Sequence, residues 1–143
     1  MNAMNPFFRR RRLLGAIVLV LLLTGGGFGI YALFRVRAYE QKVAATRFSG
    51  ISPTVVKDGV YHGEYDADLI AARAEVTVQN GKLTRIRLLD YRHGRGETAL
   101  AILDEMVRRQ RLDVDVIAGA TNSCIVIRKA AELALESARS RDG

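Results

Sequence analysis

The strongest feature of the hydrophobic pattern is a run without charged residues near the N-terminus, residues 13–34. Its 22 residues are rich in Leu, Val, Ile and Gly, and arginines flank it at positions 9–12, 35 and 37. At about 1.5 Å of rise per residue, a helix of this length spans roughly 33 Å, enough for the ~30 Å hydrocarbon core of a bilayer. The pattern therefore predicts a transmembrane helix over residues 13–34.

The flanking arginines predict the orientation of this helix. Four precede the run and two follow it, so the positive-inside bias places residues 1–12 in the cytoplasm and residues 35–143 outside. A cleaved signal peptide is the alternative, including a twin-arginine signal, which Arg10-Arg11-Arg12-Leu13-Leu14 loosely resembles. The run is longer than the usual signal core of about 7 to 15 residues, which favours a retained anchor. Both alternatives export the same domain.

After residue 57 the pattern changes to the alternation that is typical of β-strands. Residues 60–65 and 74–79 alternate in this way, and Asn80-Gly81 separates the second segment from a further apolar one that starts near Leu83. This spacing predicts a β-hairpin closed by a type I′ turn. Residues 35–57, which mix charged and small residues, are interpreted as a juxtamembrane linker that begins with a short helix.

Helical patterns follow the hairpin. Apolar residues at helical spacing predict a helix from about Glu97 to Arg109, and residues 113–121 are interpreted as a short extended segment that turns into a last helix. Strands followed by helices indicate an α+β domain. We therefore expect a small antiparallel sheet with packed helices over residues 58–143, preceded by one transmembrane helix.

The charge distribution argues against a nucleic-acid partner. The net charge is +7, but residues 1–57 hold nine Lys/Arg and one acid, which leaves residues 58–143 with 13 Lys/Arg and 14 acids. A domain that binds DNA or RNA needs cations concentrated on its own surface. Cys124 is the only cysteine, so an intramolecular disulfide and cysteine-based metal clusters are excluded. Redox chemistry in this chain would need an organic cofactor.

The candidate chemistry lies where the last helix begins. Gly119 and Ala120 have little side-chain volume there, and Thr121 is at the predicted N-cap. A helix N-terminus offers free N–H groups and the positive end of the helix dipole, so it can bind a phosphate. The backbone amides expected to do so are those of Asn122, Ser123 and Cys124, with side-chain help from Asn122 or Ser123. An ordinary capping threonine would give the same local pattern without any ligand.

The segment Asp115-Val-Ile-Ala-Gly-Ala-Thr121, followed by Asn122-Ser123 and a helix, resembles the flavinylation motif of the FMN-binding domain family. This family includes the covalent-FMN subunits of the Rnf and sodium-translocating quinone reductase complexes. Asp58-Gly-Val-Tyr-His-Gly63 is similar to the opening DGxYxG of the family, and Asn80-Gly81-Lys-Leu-Thr to its central hairpin. The resemblance thus covers about residues 58–138. It departs from the family at Ala118, where Ser or Thr is usual, and in a less Thr/Ser-rich continuation after Thr121.

The resemblance implies FMN joined through a phosphoester to the hydroxyl of Thr121. A flavin transferase that recognises Asp115 would attach it, with FAD as donor. The other expected cofactor-binding residues are those at the start of the last helix, Gly119, Ala120, Asn122 and Ser123. The implied function is that of a membrane-anchored extracytoplasmic electron carrier, a relay subunit that exchanges electrons with partner proteins of a membrane redox complex. The alternatives are a small extracytoplasmic flavin reductase and a non-redox structural subunit of a membrane complex.

Other side chains are weaker candidates. Some residues in the strands and near the glycine-rich loop are candidates to contact the isoalloxazine ring, although tyrosines in strands usually belong to the core. These residues are His62, His93, Tyr61, Tyr65 and Tyr91. Cys124 is expected to pack under the last helix as a small apolar group.

Overall fold

The structure is a computed structural model that describes residues 6–92 and 97–140, with side chains from Leu14 onward. The chain divides into two compact units, Met1–Ala38 and Tyr39–Gly143. The elements of the described residues are α1 (Pro6–Ala44), β1 (Gly59–Asp66), β2 (Ala71–Gln79), β3 (Lys82–Arg92), α2 (Ala101–Arg109) and α3 (Thr121–Ser140), with 3₁₀ turns at Pro53–Val55 and Glu97–Leu100. This is the expected α+β class.

The first unit consists of most of α1. All of its residues from position 14 to 38 are exposed, and the stretch Leu14–Ala44 is long and apolar enough to cross a membrane. A signal sequence passes the same test of length and composition. The three consecutive glycines at 25–27 do not interrupt the helix, although each glycine costs up to about 1 kcal/mol relative to alanine in a helix interior.

The second unit is built on an antiparallel sheet of three strands in the order β1-β2-β3. The alternation in β2 buries Ala72, Ala74, Val76 and Val78 on one face, as its sequence indicates. Two bulges, between Arg73 and Ala74 and between Thr77 and Val78, shift the register against β3. They explain why the apolar residues of β3 do not alternate strictly along its sequence.

The predicted hairpin joins β2 and β3. Asn80 has φ +53° and Gly81 has φ +68°, the two positive values that a type I′ turn requires. The carboxylate of Asp58 accepts hydrogen bonds from the backbone N–H of Asn80 at 2.8 Å and of Gly81 at 3.3 Å. Asp58 therefore ties the start of β1 to the turn of the neighbouring hairpin.

Helix α3 packs on β1 and β2, and the contact is closest at Gly63. A Cβ atom at this position would lie 2.2 Å from the carbonyl oxygen of Ala130 and 2.2 Å from the backbone nitrogen of Ala134. Alanines on the buried face of α3 and glycine in β1 let the two backbones approach each other. Gly63 thus fixes where the last helix crosses the sheet.

The end of α1, from Tyr39 onward, and the segment between α1 and β1 belong to the second unit. Tyr39 and Val43 are buried, and the backbone N–H groups of Ser49 and Gly50 donate to the carboxylate of Glu132 on α3 at 2.7 and 2.9 Å. The boundary between the units follows Ala38, whereas the sequence pattern places the start of the domain at residue 58. The difference arises because this segment carries no periodic signal and is held by contacts with distant residues.

Candidate functional site

A tight turn leads into α3. The backbone N–H of Ala120 donates to the carbonyl of Ile117 at 3.0 Å, and Gly119, the third residue of the turn, has φ +81°. A positive φ at that position is the requirement of a type II turn and favours glycine. Gly119 and Ala118 are exposed, whereas Ala120 is buried. The turn therefore needs Gly119 for its backbone conformation, whatever binds there.

Thr121 is the first residue of α3 and not its N-cap, which corrects the expectation from the sequence. The N–H of Cys124 donates to the carbonyl of Ala120 at 2.9 Å, so Ala120 occupies the N-cap position and the helix begins one residue earlier than expected. The side chain of Thr121 is exposed.

The earlier start of α3 changes which backbone N–H groups are free at its N-terminus. The N–H of Cys124 is engaged within the helix, so it is not available to a phosphate as the sequence pattern suggested. Within residues 6–92 and 97–140, no acceptor is found for the backbone N–H groups of Thr121, Asn122 and Ser123. These three groups, at the positive end of a 20-residue helix, can bind an anion.

Ser123 differs from its expected role. Its side chain is 5% exposed, and its hydroxyl lies near the phenol of Tyr91 at the end of β3. Burial raises the pKa of this phenol, while the Ser123 hydroxyl acts against the rise. Because the Ser123 side chain is buried, the group of Ser123 that can contribute to anion binding is its backbone N–H.

Two more residues of the segment have clear environments. Asp115 is exposed and lies on the extended stretch before the turn. Cys124 is fully buried, and its Sγ accepts a hydrogen bond from the backbone N–H of Ile117 at 3.4 Å. Cys124 is thus packed under the segment as expected, and it also links the turn to α3.

Most of the other candidates lie away from Thr121. His62 is on the face of the sheet opposite α3, because its neighbour Gly63 faces the helix, and its ring is 3.2 Å from the carboxylate of Glu75. The Tyr61 hydroxyl donates to the carbonyl of Lys57 at 2.9 Å. The Tyr65 hydroxyl is 2.8 Å from the Thr46 hydroxyl. His93 lies outside the described residues. Tyr91 lies near Ser123, in the first turn of α3.

The residues present fit a phosphate ester at Thr121. Thr121 is exposed, three free N–H groups lie at the start of the helix, and open space surrounds Gly119, where an added Cβ would meet nothing within 4 Å. The Tyr91–Ser123 contact was not foreseen, since no local pattern connects a strand end with a helix start 32 positions later in the chain. No family model, curated protein or solved structure matches this chain, so the likeness to FMN-binding domains depends on the quoted residues alone.

Proposed function

We propose that this chain is a membrane-anchored, extracytoplasmic electron-transfer flavoprotein that carries FMN esterified through its phosphate to Oγ1 of Thr121. The observation that carries the proposal is the exposed Thr121 at the first turn of α3, within the segment Asp115 to Ser123 that resembles a flavinylation motif. The bound flavin would supply the redox chemistry, and the protein would position it.

The attachment step is a phosphoryl-type transfer from FAD. The Thr121 oxygen forms a bond to the FMN phosphorus, the pyrophosphate bond of FAD breaks, AMP leaves, and the hydroxyl proton is released to solvent or to a base of the transferase. The N–H groups of Thr121, Asn122 and Ser123 would donate to the oxygens of the resulting phosphodiester, whose negative charge the helix dipole stabilises. Exposed Asp115 would be recognised by the flavin transferase, and Gly119 and Ala120 would keep the approach to the hydroxyl open.

The size of the second unit and the apolar helix α1 support the role of an anchored electron carrier. Residues 39–143 would hold one flavin, and α1 would keep it at a membrane, where the partners would be subunits of a redox complex.

The first test is to express the chain with a flavin transferase, export it, and examine the denatured protein by in-gel flavin fluorescence and intact mass. We expect a mass increase of one FMN residue, which peptide mapping places on Thr121, because a phosphoester survives unfolding. Thr121→Ala should remove the fluorescence completely. Since the Thr121 side chain is exposed and makes no hydrogen bond within the described part of the chain, the substitution should change stability by less than about 0.5 kcal/mol.

Matched variants separate attachment from folding. Thr98→Ala removes another exposed threonine and should leave the flavin in place. Asp115→Asn should reduce attachment while the circular dichroism spectrum stays unchanged. A colourless wild-type protein, with a transferase that modifies a control substrate, would exclude covalent FMN and favour a structural subunit. Flavin that is released on denaturation would refute the ester.

A further inference from the structure

A cleft on the second unit is separate from the turn at Thr121. The segment 48–53, the connection 110–113 and the middle of α3 enclose a volume of about 410 Å³, within the range of small-molecule sites. Its apolar lining comes from Phe48, Ile51, Pro53 and Leu112. We refer to it as the 48–53 cleft.

The charged groups of the 48–53 cleft are paired, with one exception. The guanidinium of Arg128 donates to the Asp113 carboxylate, and its Nε donates to the carbonyl of Leu112 at 3.1 Å. The Glu132 carboxylate, 2% exposed, accepts from two backbone N–H groups of the segment 48–53 and from Lys129 at 2.7 Å.

Arg111 is the exception. Its side chain lines the cleft and is exposed, and its guanidinium has no ion pair or hydrogen bond with any residue that the structure describes, while its backbone N–H donates to the carbonyl of Met106 at 3.2 Å. Because the other charges cancel each other locally, the cleft offers one unmatched positive charge beside an apolar wall. A guanidinium pairs with carboxylate and sulfonate groups through two parallel hydrogen bonds.

Phe48 provides a rigid ring surface. The guanidinium carbon of Arg128 lies 4.6 Å from the ring centroid, and Arg128 is itself fixed by Asp113 and Leu112. The Nζ of Lys129, which pairs with Glu132, lies 5.9 Å from the same centroid, and Phe48 remains 39% exposed and lines the cleft. A preorganised aromatic surface favours stacking with a second aromatic ring, because little conformational freedom is lost on binding.

We propose that the 48–53 cleft binds a small aromatic monoanion, with its ring against Phe48 and its anionic group paired with Arg111. The inference does not depend on the flavin, because none of the cleft residues belongs to the segment Asp115 to Ser123. A ligand of this class complements both unpartnered features of the cleft: its ring packs on the apolar surface of Phe48, and its negative charge pairs with Arg111.

The test uses the full chain in detergent carrying Thr121→Ala, so that no attached flavin competes for the cleft. Binding of 2-naphthoate is measured by calorimetry beside 2-naphthamide, which lacks the charge, and cyclohexanecarboxylate, which lacks the aromatic ring. We expect 2-naphthoate to bind at least about tenfold more tightly than either analogue, the equivalent of about 1.4 kcal/mol.

Substitutions then locate the site. Arg111→Gln should weaken 2-naphthoate about tenfold and leave 2-naphthamide unchanged, whereas Arg85→Gln, at an exposed arginine of β3 outside the cleft, should change neither. Phe48→Leu should weaken both aromatic probes. Equal effects of Arg111→Gln and Arg85→Gln, or equal affinities for the three probes, would overturn the proposal, as would no binding at millimolar concentration. Arg111 is exposed, so loss of the fold does not complicate this variant.

Discussion

Gly63 is the residue on which the contact between the sheet and α3 depends most directly. The space above it is filled by the backbone of α3 at Ala130 and Ala134, and neither atom can move without moving the helix. The glycine at the other end of the DGxYxG-like segment, Gly59, is different, because an added Cβ would meet the side chain of Tyr61 at 3.0 Å. A side chain is therefore excluded at Gly63 by the backbone of α3, and at Gly59 only by the side chain of Tyr61.

Gly63→Ala is expected to destabilise the second unit by about 1–3 kcal/mol, since the new methyl group would push α3 away from β1. Gly59→Ala is the matched control in the same strand and should cost less, because the Tyr61 side chain can turn aside. Urea unfolding of the detergent-solubilised chain measures both; the chain has five tyrosines and no tryptophan, so tyrosine fluorescence is the signal. Equal urea midpoints for the two variants would show that the close approach at Gly63 does not limit stability.

At the scale of elements, Glu132 joins α3 to the segment that follows α1. Its carboxylate accepts from the N–H groups of Ser49 and Gly50 and pairs with Lys129 on its own helix. Burial raises the pKa of Glu132, but Lys129 and the two N–H donors together outweigh burial, so the pKa is lowered below its usual value. The folded state therefore binds the ionised form more favourably than the unfolded state does.

The pH dependence of stability follows from this direction. A carboxyl with a lowered pKa stabilises the fold above its unfolded pKa of about 4.3, and this contribution is lost as the pH falls through the lower folded pKa. Glu132→Gln should therefore cost about 1–3 kcal/mol at pH 7, the value of hydrogen bonds to a charged group. The free energy difference from wild type should shrink as the pH falls below about 4.

Urea unfolding at pH 7 and at several acidic values measures this difference, with Glu136→Gln, one turn further along α3, as the control. The Glu136 side chain makes no ion pair within the described residues, so its substitution should have little effect at any pH. A cost of Glu132→Gln that is the same at pH 7 and pH 3 would contradict the proposed role of the ionised carboxylate.

For the whole molecule, the two units have different chemical compositions. The first unit, residues 1–38, is apolar and holds six Lys/Arg and no acid, whereas the second, residues 39–143, is nearly neutral with 16 Lys/Arg and 15 acids. The excess charge thus belongs to the N-terminal part, where a membrane surface with anionic lipids would attract it. This division favours an anchored domain over a nucleic-acid-binding one.

If the second unit is held outside the cytoplasm, protease added to intact cells should remove residues after Arg37 and leave a short N-terminal fragment. An N-terminal epitope tag reports that fragment, and a cytoplasmic protein must stay intact in the same sample. If the full chain is protected until the cells are lysed, the second unit lies on the cytoplasmic side and the predicted orientation is wrong. A mature chain that lacks the tag would show that the N-terminal segment is a cleaved signal.

Features that depend on neighbours along the chain were predictable from the sequence. The apolar run without charge, the Asn80-Gly81 turn, the alternation of β2 and the helix before Arg109 each carry their own local pattern, and the structure has all four. The start of α3 was predicted to within one residue. This shift of one residue changed which N–H groups are free, because the first helical bond runs from Cys124 to Ala120 and leaves the N–H of Thr121 without a partner in the helix. The burial of the Ser123 side chain was not predicted either.

The sequence by itself determined the elements, the α+β class, the apolar N-terminal helix and the segment that contains Thr121. Only the tertiary structure decided that residues 39–57 belong to the second unit, that Ser123 faces Tyr91, and that Arg111 borders a cleft with Phe48. The physical reason is the separation along the chain: Ser49 and Glu132 are 83 positions apart. Such pairs have no periodicity that a linear pattern could reveal, and only the tertiary packing of the second unit brings them together.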